Sequence, residues 1–147
     1  MTPIWGFKEI VVPYVAEIIG SRPDFGKCRT LAVFDSSNEL AAGLIFNDWN
    51  PECGTICVSM AATSPKWATR RVMAAIAEYC YGQCGCQMVV ARQSAENTRI
   101  RRLWRAVGAK EYIIPRLRGR NADEVISALT DDAWNKSKFN EVKNGSI

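Results

Sequence analysis

The residues whose types and spacing could do chemistry are concentrated in the stretch SPKWATRRVM, residues 64–73. An apolar, β-type run stops at Ser64-Pro65 and a helical pattern starts within a few residues, so Arg70 and Arg71 fall in the first turns of a helix. A strand running into a helix N-terminus can hold a phosphate group, because first-turn N–H groups lack intrahelical partners and the helix dipole favours an anion. A second concentration of charge spans residues 99–120: Arg99, Arg101, Arg102, Arg105, Lys110, Arg116, Arg118 and Arg120, against Glu111 alone. Such an excess attracts phosphate or polyanion; the alternative is a solvated helix face followed by a basic loop.

Two further features narrow the chemistry. The chain has no histidine, which removes every Ser-His or Cys-His nucleophile design. Its six cysteines include no CxxC pair, so a zinc site is not expected, and the thiols are expected to be reduced and structural.

These residues must be positioned by elements that the periodicity outlines. FKEIVVPYVAEII places Phe7, Val11, Tyr14, Val15 and Ile18 at helical spacing, with Pro13 either kinking that helix or starting it afresh. CRTLAVFD and ELAAGLIFNDW are β-rich runs separated by the turn signal SSN; after NPECG, TICVSMAA makes a third strand. KWATRRVMAAIAEYCYG is helical, with Val72, Met73, Ile76 and Cys80 on one face. CQMVVAR reads as a buried strand, and AENTRIRRLWRAVGA as a helix burying Ile100, Leu103, Trp104 and Val107. KEYIIPRL is a strand, while EVISALT is ambiguous by periodicity. A meander followed by βαβ crossovers predicts an α/β (α+β) domain: a mixed, mostly antiparallel sheet with helices on both faces.

At 147 residues and 48% hydrophobic composition, one domain with a real core is expected. It is expected to span residues 1–134, with residues 135–147 a polar, frayed tail. No run of 18 apolar residues is present, so no membrane span is expected. MTPIWGFKEI lacks the pattern of a signal peptide, so the expected address is cytoplasm, or host cytoplasm for a viral gene.

The order of elements, best matched over residues 30–134, resembles the GCN5-related N-acetyltransferase (GNAT) superfamily. ARQSAENTRIRRLWRAVGAKE looks like that superfamily's strand–Asn–helix–Gly-Phe segment, with Asn97 at the asparagine position and Gly108-Ala109 where Gly-Phe is usual. SPKWATRRVM is similar to a divergent phage and prophage group carrying Trp-x-Thr-Arg there. The resemblance implies that residues 64–69 cradle the pyrophosphate of acetyl-coenzyme A, a role usually served by a loop with two glycines. Trp67 and Thr69 stand at those positions, so ordinary helix-start geometry must replace glycine's freedom. It implies Trp67, Ala68, Thr69, Arg70 and Arg71 at the pyrophosphate, Met60, Ala61, Ala62 and Thr63 along the pantetheine arm, and Asn97 hydrogen-bonded to the pantetheine or capping its helix.

Acetyl transfer needs a deprotonated amine, a polarised carbonyl and a protonated leaving thiolate. The superfamily's tyrosine acid is implied at the position held by Trp104, which supplies no acidic proton. Glu52 is the candidate base, with Asp48 nearby, and Tyr79 the candidate acid, with Tyr81 and Tyr112 as substitutes. The expected activity is an acetyl-CoA-dependent N-acyltransferase acting on a small-molecule or peptide amine, with no metal. Two alternatives keep the fold: a Mom-like base-modifying enzyme holding nucleic acid through residues 99–120, and a non-catalytic binding module that retains the scaffold but has lost the glycine loop and the tyrosine acid; the alternative reading of Trp67 itself is that it plugs the cofactor pocket. A homodimer is compatible with each.

Overall fold

The computed structural model describes residues 1–140. The chain opens with β1 (Thr2–Trp5), too short for alternation to announce it, followed by α1 (Lys8–Ile19). Pro13 lies inside α1 without ending it. Proline cannot bond the carbonyl one turn earlier, but Glu9 and Pro13 both sit on the exposed flank, where water serves that carbonyl. The expected meander follows as β2 (Cys28–Phe34), β3 (Leu40–Asn50) and β4 (Thr55–Ala62). The SSN turn is set by Asp35, whose Oδ1 accepts from the N–H groups of Ser37 and Glu39 at 2.8 and 3.0 Å.

The helix expected from Lys66 starts later. Residues 66–69 are loop, and α2 runs Arg70–Ala77. Thr69 caps it, its hydroxyl oxygen accepting from the Val72 N–H at 3.3 Å. A π-helical segment, Glu78–Gln83, continues α2 before β5 (Met88–Ser94). Then come α3 (Thr98–Ala106), β6 (Lys110–Gly119), β7 (Ala122–Thr130) and α4 (Asp131–Lys136). EVISALT is therefore strand. Of the tail expected from 135 onward, Asn135 and Lys136 complete α4, Ser137 is buried and Phe139 packs on the core. Residues 141–147 lie outside the described residues.

Among the described residues seven strands form one sheet in the order β1-β2-β3-β4-β5-β7-β6. All neighbours pair antiparallel except β4 and β5. That is the mixed, mostly antiparallel sheet the sequence predicts. Side chains alternate between faces along each strand. On one face Ala32, Ile45 and Ala61 meet Val11 and Val15 of α1. Gly43 allows this close approach: an added Cβ would lie 3.0 Å from Val15 Cγ2 and 3.1 Å from Val11 Cγ1, so those side chains would have to give way. On the other face Leu31, Leu44, Phe46, Val58 and Met60 join Val72, Met73 and Ile76 of α2, Ile100 and Trp104 of α3, and Trp134 of α4. Each fully buried aliphatic side chain contributes about 1.5–3 kcal/mol, so this larger core fixes α2 and α3 against the sheet.

Candidate functional site

The site begins as a failure of strand pairing. β4 and β5 are in register from Thr55↔Met88 to Val58↔Ala91 and no further, although β4 runs on to Ala62 and β5 to Ser94. Residues 59–62 stay paired to β3 on their other edge. Every second N–H and C=O of that stretch therefore faces a gap rather than a neighbouring strand. Residues 59–62 therefore present an open strand edge beside β5.

A cavity of ≈ 760 Å³ opens from this fork. Its wall on the α2/α3 side includes Met60, Trp67, Asn97, Thr98, Arg99 and Ile100. On the α1 side stand Ile18, Ile19 and Phe25, then Asp48, Cys57, Arg92, Arg118 and Glu124. Asp48 sits at a bulge where the β3–β4 register shifts between Asn47 and Asn50, with φ 53°. Burial, then the nearby Asp48 carboxylate, push the Cys57 thiol above its ordinary value, while Arg92 opposes them. Asp48, Cys57 and Arg92 thus share one electrostatic neighbourhood.

The implied cofactor residues divide. Met60, Ala61, Ala62, Trp67 and Asn97 line the cavity. Trp67 is buried at its wall and leaves the space open. Asn97 both lines the cavity and caps α3, accepting from the Ile100 N–H at 3.4 Å. Thr63, Ala68, Thr69, Arg70 and Arg71 are not part of the cavity wall. Thr63 accepts from the Tyr14 hydroxyl at 3.3 Å, Ala68 packs on the core, and Thr69 is occupied as the cap of α2. Arg70 donates to the Lys138 carbonyl at 2.6 Å and lies over the Phe139 ring. Arg71 is exposed, and its first-turn N–H has no intrahelical acceptor by position.

Neither implied catalytic residue reaches the cavity. Glu52 lies in the exposed turn between β3 and β4, whereas Asp48, four residues earlier in the chain, stands in the wall. Tyr79 packs against Trp5 and Phe46 under the Arg29 guanidinium. Burial, chiefly, pushes its phenol up to about 12. Tyr81 donates to the Leu129 carbonyl at 2.7 Å, and Leu129 pairs with Val89 in the stretch of β5 where β4 is still paired. Trp104 is buried in the core, and its Nε1–H has no partner among the described residues.

Three residues in the wall were not singled out from the sequence. Gln93, 6% exposed, donates from Nε2 to Ser127 Oγ at 2.7 Å, while its Oε1 has no partner among the described residues. An orphaned buried acceptor beside an open strand edge suits an incoming amide N–H. Arg92 and Glu124 form an ion pair across β5 and β7, the Arg92 Nε lying 2.8 Å from Glu124 Oε2. The only hint was a charged residue, Arg92, in an otherwise apolar run.

Of the basic run at residues 99–120, Arg101 and Arg105 are paired with Glu111, and Arg118 with Glu124. Arg99 lines the cavity.

No protein-family model matches the sequence, and no curated protein matches it. Solved structures do share its fold. A spermidine N-acetyltransferase from Vibrio cholerae, the SpeG F149A mutant, superposes with a TM-score of 0.71 at 11% identity, over 92% of this chain and 98% of that one. YncA from Salmonella typhimurium, solved with its cofactor acetyl-CoA, gives 0.65 at 15% identity over 88% and 93%. The ribosomal-protein-S5-alanine acetyltransferase of Vibrio fischeri gives 0.61 at 12% identity over 73% and 63%. The expected GNAT-type fold is therefore the fold observed.

Proposed function

We propose that this chain is an acetyl-CoA-dependent N-acyltransferase that moves an acetyl group onto a primary amine. The observation that carries the reading is the fork between β4 and β5, an open strand edge in a fold shared with acetyltransferases, one of them solved with acetyl-CoA. Acetyl-CoA enters as substrate, its amide-rich arm pairing with the free edge of residues 59–62 as an added strand would. Gln93 Oε1 and the Asn97 side chain face that arm, and the N-terminus of α2 with Arg71 takes the pyrophosphate.

The amine approaches from the α1 side. Asp48 holds the ammonium and draws off its proton, directly or through one water. The freed nitrogen forms a bond to the thioester carbonyl carbon, whose developing oxyanion accepts a backbone N–H from the open edge of β4. The C–S bond then breaks; the nitrogen gives its second proton to solvent, and the thiolate takes one from solvent, no tyrosine lining the cavity among the described residues.

Calorimetric titration with acetyl-CoA tests the reading. Micromolar binding is expected, weakened about tenfold or more by Arg71→Ala, since a charge-assisted hydrogen bond contributes about 1.5–3 kcal/mol. Arg70→Ala should matter less, because Arg70 is already committed to Lys138. A wild type that binds no acetyl-CoA at millimolar ligand overturns it.

A further inference from the structure

We propose that the α1 side of the cavity holds an anionic group, so that the amine acetylated here also carries a carboxylate or a phosphate. The amine half rests on the acyltransferase reading; the anion half rests on Arg92, Arg118 and Glu124 alone.

Glu124 is 2% exposed, and each of its oxygens is taken. Oε2 accepts from Arg92 of β5, whose Nε lies at 2.8 Å, and Oε1 accepts from Arg118 of β6. The charge of a carboxylate so engaged is already offset by the two guanidiniums. What it does is hold two guanidiniums side by side, and one carboxylate between two guanidiniums leaves one net positive charge. Neither arginine is sealed in: the side chains are 55% and 32% exposed, and both line the cavity. Arg92 Nη1 and Arg118 Nε and Nη2 have no partner among the described residues. A guanidinium presents its donors as a planar fork that matches carboxylate or phosphate oxygens.

The same wall carries the Asp48 carboxylate, in the neighbourhood that Cys57 shares with Arg92. An acceptor with an ammonium at one end and an anion at the other is complementary to both. A polyamine, cationic at several nitrogens, would set like charges against Arg92 and Arg118.

The test is steady-state kinetics of the full chain with acetyl-CoA and four acceptors: phosphoethanolamine, β-alanine, propylamine and spermidine. The anionic amines should exceed propylamine in kcat/KM by about tenfold or more, as a charge-assisted hydrogen bond allows. Arg92→Ala should erase that preference through KM and Arg92→Lys should restore part of it, while acetyl-CoA affinity, titrated separately, holds. The order of phosphoethanolamine and β-alanine tells phosphate from carboxylate. A preference for spermidine, or an anion preference that survives Arg92→Ala, overturns the proposal. If no amine is acetylated, phosphoethanolamine and inorganic phosphate are titrated into the protein alone. Binding that Arg92→Ala abolishes keeps the anion site while the acyltransferase reading falls; no binding of either sinks the anion site as well.

Discussion

β5 has two edges, and they behave differently. Against β7 it is paired along its whole length, from Met88↔Thr130 to Ser94↔Glu124. Against β4 it is paired only as far as Ala91. The difference lies less in the strand than in what is packed on it. Val89 and Leu129, facing each other across the closed seam, rest in the core with Trp104 and Trp134. Beyond Ala91 the open seam has Asn97, the cap of α3, and Ile100 on one side and the end of α1 on the other. Backbone groups left without partners cost free energy, whereas the closed seam is paired throughout and packed on the core.

The largest expected effect breaks the closed seam. Trp104→Ala removes a buried aromatic from beneath it and should cost about 3–5 kcal/mol of stability, read as a shift in urea midpoint at unchanged slope. Trp104→Phe should cost much less, because the indole N–H has no partner among the described residues to lose. Since Trp104 does not line the cavity, the Phe variant should titrate acetyl-CoA like the wild type. Lost affinity in a stable Phe variant would show that the two seams are not separable.

The open seam is probed by Asn97, which serves both helix and cavity. Asn97→Ala should lower stability by about 1 kcal/mol through the lost cap and weaken acetyl-CoA binding in the same titration. Asn97→Asp keeps a capping oxygen but loses the amide donor, so it should retain stability and still bind more weakly. If the Asp variant binds normally, Asn97 is a cap and nothing more.

How legible this was in the sequence follows the range of the interactions. The buried faces of α2 and α3 were readable because a 3.6-residue period is local: Val72, Met73, Ile76, Ile100 and Trp104 are all in the core. The fork was not, because the register of β4 against β5 is set by packing between segments some thirty residues apart in the chain. Arg92 and Glu124 meet across 32 residues of chain, and no local pattern joins them. Tyr79 lies outside the cavity wall for a physical reason. It stands in the π-helical segment, where an extra residue per turn changes the phase of the helix, and its ring goes to Trp5 of a strand that periodicity did not reveal. Asp48 and Glu52 were indistinguishable by type, and only the bulge decides which of them faces the cavity.

The smallest expected effect sharpens the comparison from the outer end of the closed half. Glu111 of β6 accepts from Arg101 Nε of α3 at 2.8 Å, and Arg105 lies 3.2 Å from its other oxygen. The Arg101 hydrogen bond, foremost, holds the Glu111 carboxyl below its usual range. A carboxyl depressed on folding stabilises the protein above its unfolded value, about 4.3. That contribution is lost as pH falls through the lower folded value. The urea midpoint should therefore drop as pH is lowered from about 5 toward 3, and Glu111→Gln should flatten that part of the profile while leaving the open seam, and with it acetyl-CoA binding at neutral pH, untouched. A Gln variant with the same acid profile as the wild type would mean that α3 is held to the closed half by its buried face alone. In that case Ile100, Trp104 and Val107, not the ion pairs along residues 99–120, keep Asn97 at the mouth of the fork.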